Sequence, residues 1–278
     1  MTITPEKLTS FLRRNPTLES LELVNLHVPY AFLPDRSIEL DHLTKLSVRN
    51  VEHGHIFPYV TLPALKDLEI GPFEQPPPRW VNSVWFALQV PPGITTLTIT
   101  YHGSEDRNKI SAVGFDKTSR RLLTLAEHSV ERRLTPVLDA LANASLALVT
   151  TLCFDEEGTY FEDQVSSAPI LALLRSLPLL RQVDLGWGHL TSKVITCLDE
   201  HRRLCSELKD LRVKVTRQSC SSVFKSVQKL VLSRADAEQW LSKVECTVSE
   251  VDGDVEATRR SWESLFQSSD LASSLRNA

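Results

Sequence analysis

The 278-residue sequence predicts an α/β fold in which short parallel strands alternate with helices along an extended repeat array. Three observations lead to this fold class. A short apolar phrase recurs along the chain, helix-like segments lie between several of its copies, and nine glycines are few for a turn-rich all-β fold. One such unit is too small to bury its apolar face alone, so neighbouring units have to stack around a continuous core.

The recurring phrase is an apolar residue, two variable residues, an apolar residue, one variable residue and a third apolar residue. Leu18-x-x-Leu21-x-Leu23 is the first copy. The middle apolar residues of the eight copies are Leu21, Leu46, Leu68, Leu97, Leu152, Val183, Leu211 and Leu230. Most steps between them lie near the repeat length of leucine-rich repeats. The sequence therefore predicts an irregular leucine-rich-repeat solenoid with one strand in each phrase.

Helix-like segments separate several of these strands and carry apolar residues at helical spacing. Thr4 is the expected N-cap of the first helix, over residues 5–14, and Pro5 occupies its first position. The other predicted helices cover 79–90, 134–148, 168–177, 191–206, 235–244 and 255–275. A strand followed by a helix, repeated, is typical of ribonuclease-inhibitor-like solenoids, in which parallel strands line the concave face and helices line the convex face.

The predicted domain organisation follows from the last copy of the phrase. Residues 1–234 form the leucine-rich-repeat array, and residues 235–278 form a C-terminal helical cap or tail, because a solenoid needs its last repeat covered. A motif that docks into a partner's groove is the alternative for this tail. The long step from Leu97 to Leu152 requires an extra element. We interpret residues 107–130 as a hairpin-like insertion, with one degenerate repeat as the alternative.

Composition and charge favour an intracellular protein, cytoplasmic or nuclear. The net charge is −4 with the two signs interspersed, which gives no reason to expect nucleic acid or an anionic membrane as the main partner. The five cysteines are widely spaced without a C-x-x-C pair, as is typical of reduced thiols. The sequence also contains neither a signal-peptide pattern nor a run of about 18 apolar residues that could span a membrane.

The sequence carries no motif that predicts catalysis. It contains no nucleophile elbow, phosphate-binding loop, dinucleotide fingerprint or zinc-protease helix, so we expect neither enzyme activity nor a cofactor. Cys197, His201 and Cys205 recur every four residues. Three side chains in a line on one helix cannot share a zinc ion, because the outer two would lie about 12 Å apart. We therefore expect a buried helix stripe there and no metal site.

Strand residues that point away from the core form the candidate binding surface, because alternate side chains of a strand face opposite sides. The residues expected to bind a partner on the concave face are Glu22, Ser47, Glu69, Thr98, Cys153, Asp184, Arg212 and Lys214. Their column is expected to end at Val231, and the residues beside it are Arg49, Asp67, Asp155, Asp210 and Lys229. A polar surface of this kind on a rigid scaffold suits recognition of a protein partner.

Three phrases give the chain a family resemblance: residues 11–23 (FLRRNPTLESLEL), 62–70 (LPALKDLEI) and 177–185 (LPLLRQVDL). Their cadence resembles the repeat region of F-box-like leucine-rich-repeat proteins from mushroom-forming basidiomycete fungi. In that family an N-terminal F-box recruits the adaptor of an SCF-type, cullin-based ubiquitin ligase, and the repeats present a surface to the substrate. The resemblance implies that this chain recognises a ligase substrate.

The chain departs from that family at its start. No F-box-like Leu-Pro-x-Glu segment precedes the first repeat. We therefore expect a ligase adaptor to bind only if the missing F-box is supplied, for instance by a longer gene product or a second chain. The alternative is a truncated or degenerate relative without an effector function of its own.

Overall fold

The computed structural model describes residues 4–24, 37–49, 59–71, 90–103, 108–129, 134–157, 166–186, 189–215 and 220–248. The helices in this part of the chain are α1 (Pro5–Arg14), α2 (Thr135–Asn143), α3 (Ser167–Arg175), α4 (His189–Glu200) and α5 (Cys220–Asp236). Its strands are β1 (Ser20–Val24), β2 (Ile38–Glu39), β3 (Lys45–Arg49), β4 (Val60–Thr61), β5 (Asp67–Ile70), β6 (Thr96–Gly103), β7 (Asn108–Phe115), β8 (Arg121–Ser129), β9 (Thr151–Glu157), β10 (Gln182–Leu185), β11 (Asp210–Val215) and β12 (Lys243–Val248).

The fold is a mixed α/β arrangement around a ten-stranded sheet with the order β1-β3-β5-β8-β7-β6-β9-β10-β11-β12. All neighbouring strands pair parallel except β6 with β7 and β7 with β8, which pair antiparallel. Strands β2 and β4 form a separate two-stranded parallel ribbon. The α/β class predicted from the sequence is confirmed at this level.

Local sequence signals account for α1. The Thr4 hydroxyl accepts a hydrogen bond from the Lys7 amide at 3.4 Å, and Pro5 fills the first turn, where its missing amide proton is not needed. Leu8 and Leu12 lie one turn apart on the same side of the helix, and both are buried in the core. The N-cap and the amphipathic spacing together make this the helix that the sequence predicts most completely.

Helices α3, α4 and α5 each connect two neighbouring parallel strands between β9 and β12, while α2 precedes β9. The four helices pack against one another in chain order. Each contributes apolar residues to the single core that the strands also share, for example Leu141 in α2, Leu173 in α3, Leu198 in α4 and Val227 in α5. Burying one apolar face of each element in this way is what stabilises the stack.

The residues just before the strands form a second set of backbone contacts between neighbouring repeats. The Thr150 amide donates to the Thr95 carbonyl, the Arg181 amide to Thr150, the Lys209 amide to Arg181 and the Ser242 amide to Lys209, each at 2.8 Å. This ladder extends the parallel pairing by one residue beyond the strands. It also aligns the turns that enter β9, β10, β11 and β12.

Residues 107–130, interpreted from sequence as a hairpin-like insertion, hold β7 and β8. These two strands pair antiparallel with each other, and β7 also pairs antiparallel with β6. Strand β8 then pairs parallel with β5. The extra strands therefore lie inside the main sheet, between β5 and β6, and carry its core across that interval through Ile110, Leu123 and Leu125.

The predicted eighth strand around Leu230 was wrong. Residues 227–232 belong to α5, where Val227 and Leu230 are buried, because the spacing of these residues also fits one face of a helix. The eighth copy of the phrase is Leu241-x-x-Val244-x-Cys246, and it forms β12. The predicted helix over 235–244 was wrong for the same reason, since α5 ends at Asp236 and β12 begins at Lys243.

The predicted helix over 191–206 was too long. Helix α4 ends at Glu200, so His201 lies in the following turn and is exposed, while Cys205 is buried with a left-handed φ of 49°. The expected buried stripe therefore contains Cys197 but not His201. The chain must leave the helix here because it has to reverse direction to enter β11.

The predicted helix over 255–275 and nearly all of the one over 79–90 lie outside the described residues. Among the described helices, none is long and apolar enough to cross a membrane.

Candidate functional site

A continuous row of side chains crosses the ten strands of the described main sheet. Strand register places its members side by side in the order Glu22, Ser47, Glu69, Thr124, Val113, Thr98, Cys153, Asp184, Arg212 and Glu245. Their neighbours along each strand, such as Leu21 and Leu23 in β1, point into the core. The row therefore lies on the opposite side of the sheet from the core.

We call this surface the polar face. It consists of the ten residues of the row and of the charged or amide-bearing residues two positions away on the same strands: Lys45, Arg49, Asp67, Asp155, Gln182, Asp210, Lys214 and Lys243. Most of these side chains are partly or fully exposed, although Ser47 is only 3% exposed.

The structure brings together the first seven residues predicted for the binding surface in a single row, and Lys214 lies beside them on β11. It excludes Val231 and Lys229, which were predicted at the end of the column. Val231 is buried in α5, and the Lys229 ammonium pairs with Asp199 of α4 at 2.5 Å. Both residues fell in the misassigned eighth strand.

Three members of the row were missed by the sequence reasoning. Glu245 follows from the phrase Leu241-x-x-Val244-x-Cys246, whose marker lies 33 residues after Leu211, close to the 31- and 28-residue steps before it. Thr124 lies between Leu123 and Leu125, an alternation without the preceding apolar residue that completes the phrase. Val113 lies on an antiparallel strand, for which the repeat phrase provides no signal.

At the β1 end of the sheet, Arg49 connects three strands. Its Nε lies 3.2 Å from Oε1 of Glu69, its Nη2 donates to Oε2 of Glu69 at 3.3 Å, and its Nη1 lies 3.6 Å from Oε1 of Glu22. The Ser47 hydroxyl donates to the same Glu69 carboxylate at 3.4 Å. We call these four residues the Arg49 network. They hold side chains of β1, β3 and β5 in a fixed arrangement.

At the β12 end, Arg212 has an equivalent place. Its Nε lies 3.0 Å from Oε2 of Glu245, and its Nη1 lies 3.7 Å from Oδ2 of Asp184. Lys243 pairs with Glu245 at 2.5 Å, and the Gln182 amide donates to both oxygens of Asp184 at 3.0 Å. We call these five residues the Arg212 network. The hydrogen bond from Lys243, followed by the charges of Lys243 and Arg212, holds the pKa of Glu245 below its ordinary value.

Between the two networks, the row is uncharged. Thr124, Val113 and Thr98 come from the antiparallel strands, and Cys153 follows them on β9. The Cys153 thiol donates to Oδ2 of Asp184 at 3.8 Å. Burial, and then the negative charge of Asp184, raises the pKa of Cys153 to about 11. The thiol is therefore protonated at neutral pH and is a poor nucleophile.

The polar face can offer fixed hydrogen-bond donors, acceptors and charges to a ligand. Among the described residues, no group of three His, Cys, Asp or Glu side chains is arranged to hold a metal ion. The two cysteines considered as zinc ligands contact backbone instead: Cys197 donates to the Ser167 carbonyl at 3.8 Å, and Cys205 donates to the Leu174 carbonyl at 3.6 Å.

Comparisons of the chain with protein-family models, with curated proteins and with solved structures give no match. No family is therefore shown for this chain, and what can be inferred about its function depends on the geometry and chemistry of its own surfaces.

Proposed function

We propose that this chain is a non-enzymatic protein-interaction scaffold, an irregular leucine-rich-repeat solenoid whose concave surface is the polar face. The observation that carries the proposal is the single in-register row of ten outward side chains. Consecutive parallel strands about 4.8 Å apart extend such a row over about 40 Å, which is long enough for one side of an ordinary protein–protein interface.

The polar face suits recognition because its side chains are already positioned. Arg49 and Arg212 each bridge carboxylates on two other strands, so these side chains lose little conformational freedom when a partner binds. Alternating charges along the row discriminate between partners, because a partner with the wrong charge pattern leaves like charges opposed. Lys214 is exposed and forms no ion pair with the described residues, so its charge is available to a partner.

The residues proposed to contact the partner are the eight predicted from sequence: Glu22, Ser47, Glu69, Thr98, Cys153, Asp184, Arg212 and Lys214. The row adds Glu245, Thr124 and Val113 to this set. The charged networks at either end would fix the orientation of the partner, and the neutral centre would accept its apolar or hydroxyl side chains.

The resemblance to F-box-like repeat proteins makes a ligase substrate the proposed kind of partner. The support for this step is the repeat cadence in the sequence, which is an argument by analogy with a family. On this reading the polar face binds the substrate, and an F-box supplied from elsewhere recruits the ligase adaptor.

Affinity capture followed by mass spectrometry tests the proposal. The full-length chain is compared with a face variant, Asp184→Lys with Arg212→Glu, which reverses two charges of the Arg212 network without changing the net charge. A matched control, Glu200→Lys with Lys225→Glu, reverses one acid and one base on exposed helix positions. We expect a reproducible partner that the wild type and the control capture and the face variant loses.

The captured partner is then purified and its dissociation constant is measured for the same three chains. We expect the face variant to bind at least about tenfold more weakly, which corresponds to about 1.4 kcal/mol of binding free energy. Equal binding by the face variant, or no partner above background, would contradict the proposal. An adaptor of a cullin-type ligase among the captured proteins would support the ligase role, whereas its absence would leave the polar face as a binding surface of another kind.

A further inference from the structure

Four connections lead from the C-terminal end of a helix into the next strand of the sheet: residues 144–150, 176–181, 201–209 and 237–242. The backbone ladder through Thr150, Arg181, Lys209 and Ser242 holds them side by side. We call these four connections the loop edge. It lies along the strand ends and is separate from the polar face.

Large apolar side chains are exposed at one equivalent position of the loop edge. Leu148 is 54% exposed, Leu179 is 41% exposed and Trp240 is 43% exposed. Each lies two residues before a member of the backbone ladder, and the exposed Glu207 occupies the same position in the remaining connection. Strand spacing places Leu148 and Leu179 in adjacent repeats about 5 Å apart, with Trp240 two repeats beyond Leu179.

A single exposed leucine on a protein surface requires no explanation. Here, however, three of four adjacent repeats expose a large apolar side chain at the same position. Other apolar residues of these connections, such as Leu146, Leu177 and Leu208, are buried, so the connections do contribute to the core. The exposed residues therefore form a strip, which is the kind of surface feature that marks contact with a partner.

The charge of the loop edge differs from that of the chain. Its four connections contain four Lys or Arg residues against two Asp or Glu residues, while the whole chain carries a net charge of −4. Arg181 and Lys209 lie next to the strip in the ladder, are exposed, and form no ion pair with the described residues. An apolar strip with unpaired cations beside it is complementary to a ligand that carries both apolar groups and negative charge.

We propose that the loop edge, through Leu148, Leu179 and Trp240 with Arg181 and Lys209, docks an acidic segment of a partner protein that carries apolar side chains. The apolar side chains of the segment cover the strip, and its carboxylates pair with the two cations. This surface is distinct from the polar face, so the inference does not depend on the proposed function and the two surfaces can be tested independently.

The test starts from random peptides of about twelve residues displayed on phage and selected on the full-length chain. We expect the enriched peptides to combine Asp or Glu with Leu, Phe or Trp. A synthetic copy of the best peptide is then titrated by fluorescence anisotropy against wild type and against a strip variant, Leu148→Ser with Leu179→Ser and Trp240→Ser. We expect the strip variant to bind at least about tenfold more weakly.

Two matched controls separate the strip from general surface effects. Phe11→Ser with Leu232→Ser removes two apolar side chains that are exposed to a similar degree, 46% and 49%, on other elements, and should bind the peptide as wild type does. Arg181→Glu with Lys209→Glu should lose binding about tenfold, with a smaller loss at high salt. Lys117→Glu with Lys225→Glu, the same charge change on other exposed residues, should not.

Several outcomes would overturn the inference. One is a selection that enriches no peptide, or that enriches neutral or basic peptides. Another is an acidic peptide that binds the strip variant as tightly as wild type. Binding to vesicles of phosphatidylcholine and phosphatidylserine, or to duplex DNA, that displaces the peptide and is lost in the strip variant would assign the loop edge to a different class of ligand. Circular dichroism of each variant checks that it remains folded.

Discussion

The two ends of the main sheet present the same arrangement on the polar face but differ in what lies behind it. At one end Arg49 bridges Glu22 and Glu69 across β1, β3 and β5. At the other end Arg212 bridges Asp184 and Glu245 across β10, β11 and β12. Behind the first end, the described outer layer is the β2–β4 ribbon with α1 packed against β2. Behind the second, it consists of α3, α4 and α5.

The lengths of the repeats account for this difference. The middle apolar residues of β1, β3 and β5 (Leu21, Leu46 and Leu68) lie 25 and 22 residues apart. Those of β9, β10, β11 and β12 (Leu152, Val183, Leu211 and Val244) lie 31, 28 and 33 residues apart. A helix of nine residues needs a turn at each end to return the chain to the sheet, which only the longer repeats accommodate readily. The strand register is therefore the same in both halves, while the covering layer follows the length available.

The largest expected effects test whether the core beneath the polar face is equally well packed at both ends. Leu68 in β5 and Leu211 in β11 are both 0% exposed. We expect Leu68→Ala and Leu211→Ala each to lower the free energy of unfolding by about 2–5 kcal/mol, because each leaves a cavity in a packed core. Urea denaturation measures both. A loss well below 1 kcal/mol for Leu68→Ala alone would show that the ribbon end is loosely packed.

A second pair of variants compares the residues that directly follow strands at the two ends. Gly71 follows β5 with a φ of 101°, and a Cβ atom there would lie 1.8 Å from the Ala126 carbonyl oxygen. Gly186 follows β10, and a Cβ atom there would lie 2.7 Å from the Phe154 carbonyl oxygen. Both substitutions to alanine should destabilise the fold, by about 1–3 kcal/mol at Gly186.

Gly71→Ala should be the more harmful of the two, because a left-handed backbone conformation adds strain to the steric overlap. Thermal unfolding of the two variants checks the order. The reverse order would mean that the β5–β8 pairing yields more easily than the β9–β10 pairing.

The helical end has a contact between repeats that can be removed by itself. Arg234 in α5 is fully buried, and its guanidinium donates to the carbonyls of Leu204 at 3.2 Å and Cys205 at 2.9 Å, in the turn before β11. Burial lowers the pKa of Arg234. We expect Arg234→Met to lower the free energy of unfolding by about 1–3 kcal/mol, because two buried carbonyl groups lose their donors.

Hydrogen exchange should localise this effect. In Arg234→Met the amides of residues 201–209 should exchange faster than in wild type, while those of β1, β3 and β5 should be unchanged. Uniform acceleration over the whole sheet would mean that the two ends are not separable and unfold as one unit.

Smaller effects are expected for the two arginines of the polar face. Arg49 and Arg212 are 42% and 44% exposed, so each ion-pair network is screened by solvent. We expect Arg49→Met and Arg212→Met to change stability by about 0–1 kcal/mol each, and by less at high salt. Urea denaturation at low and high ionic strength measures this. A markedly larger loss for one variant would show that its network is essential to the fold, which would separate the two ends.

The smallest expected effect is a change in protonation. Arg212→Met should raise the pKa of Glu245 towards its ordinary value, but only in part, because the hydrogen bond from Lys243 is the larger influence. The lowered pKa of Glu245 in the folded chain means that its contribution to stability is present at neutral pH and is lost as the pH falls through that pKa. An NMR titration of the Glu245 carboxylate checks the direction, and an unchanged pKa would show that Arg212 has no electrostatic effect on it.

The sequence predicts much of this structure where a local signal is sufficient. The cap at Thr4, the alternation in β1 and the phrase around Val183 each specify an element that the structure contains. The same reasoning failed around Leu230, because an apolar spacing of three and two residues fits a short strand and also one face of a helix. The 19-residue step to Leu230 was a warning, since it leaves no room for both a strand and a helix after Leu211.

The sequence by itself determined the α/β class, α1 and seven strands of the main sheet, because the strand phrase and the helix cap are contained within a few residues. The tertiary structure decided where β7 and β8 lie, that β12 ends the described sheet, and that Arg234 reaches back to the turn before β11. Strand pairing, exposure of Leu148 and Trp240, and satisfaction of a buried guanidinium all depend on residues distant in the chain. No local pattern encodes those contacts, so they became visible only once the repeats were stacked.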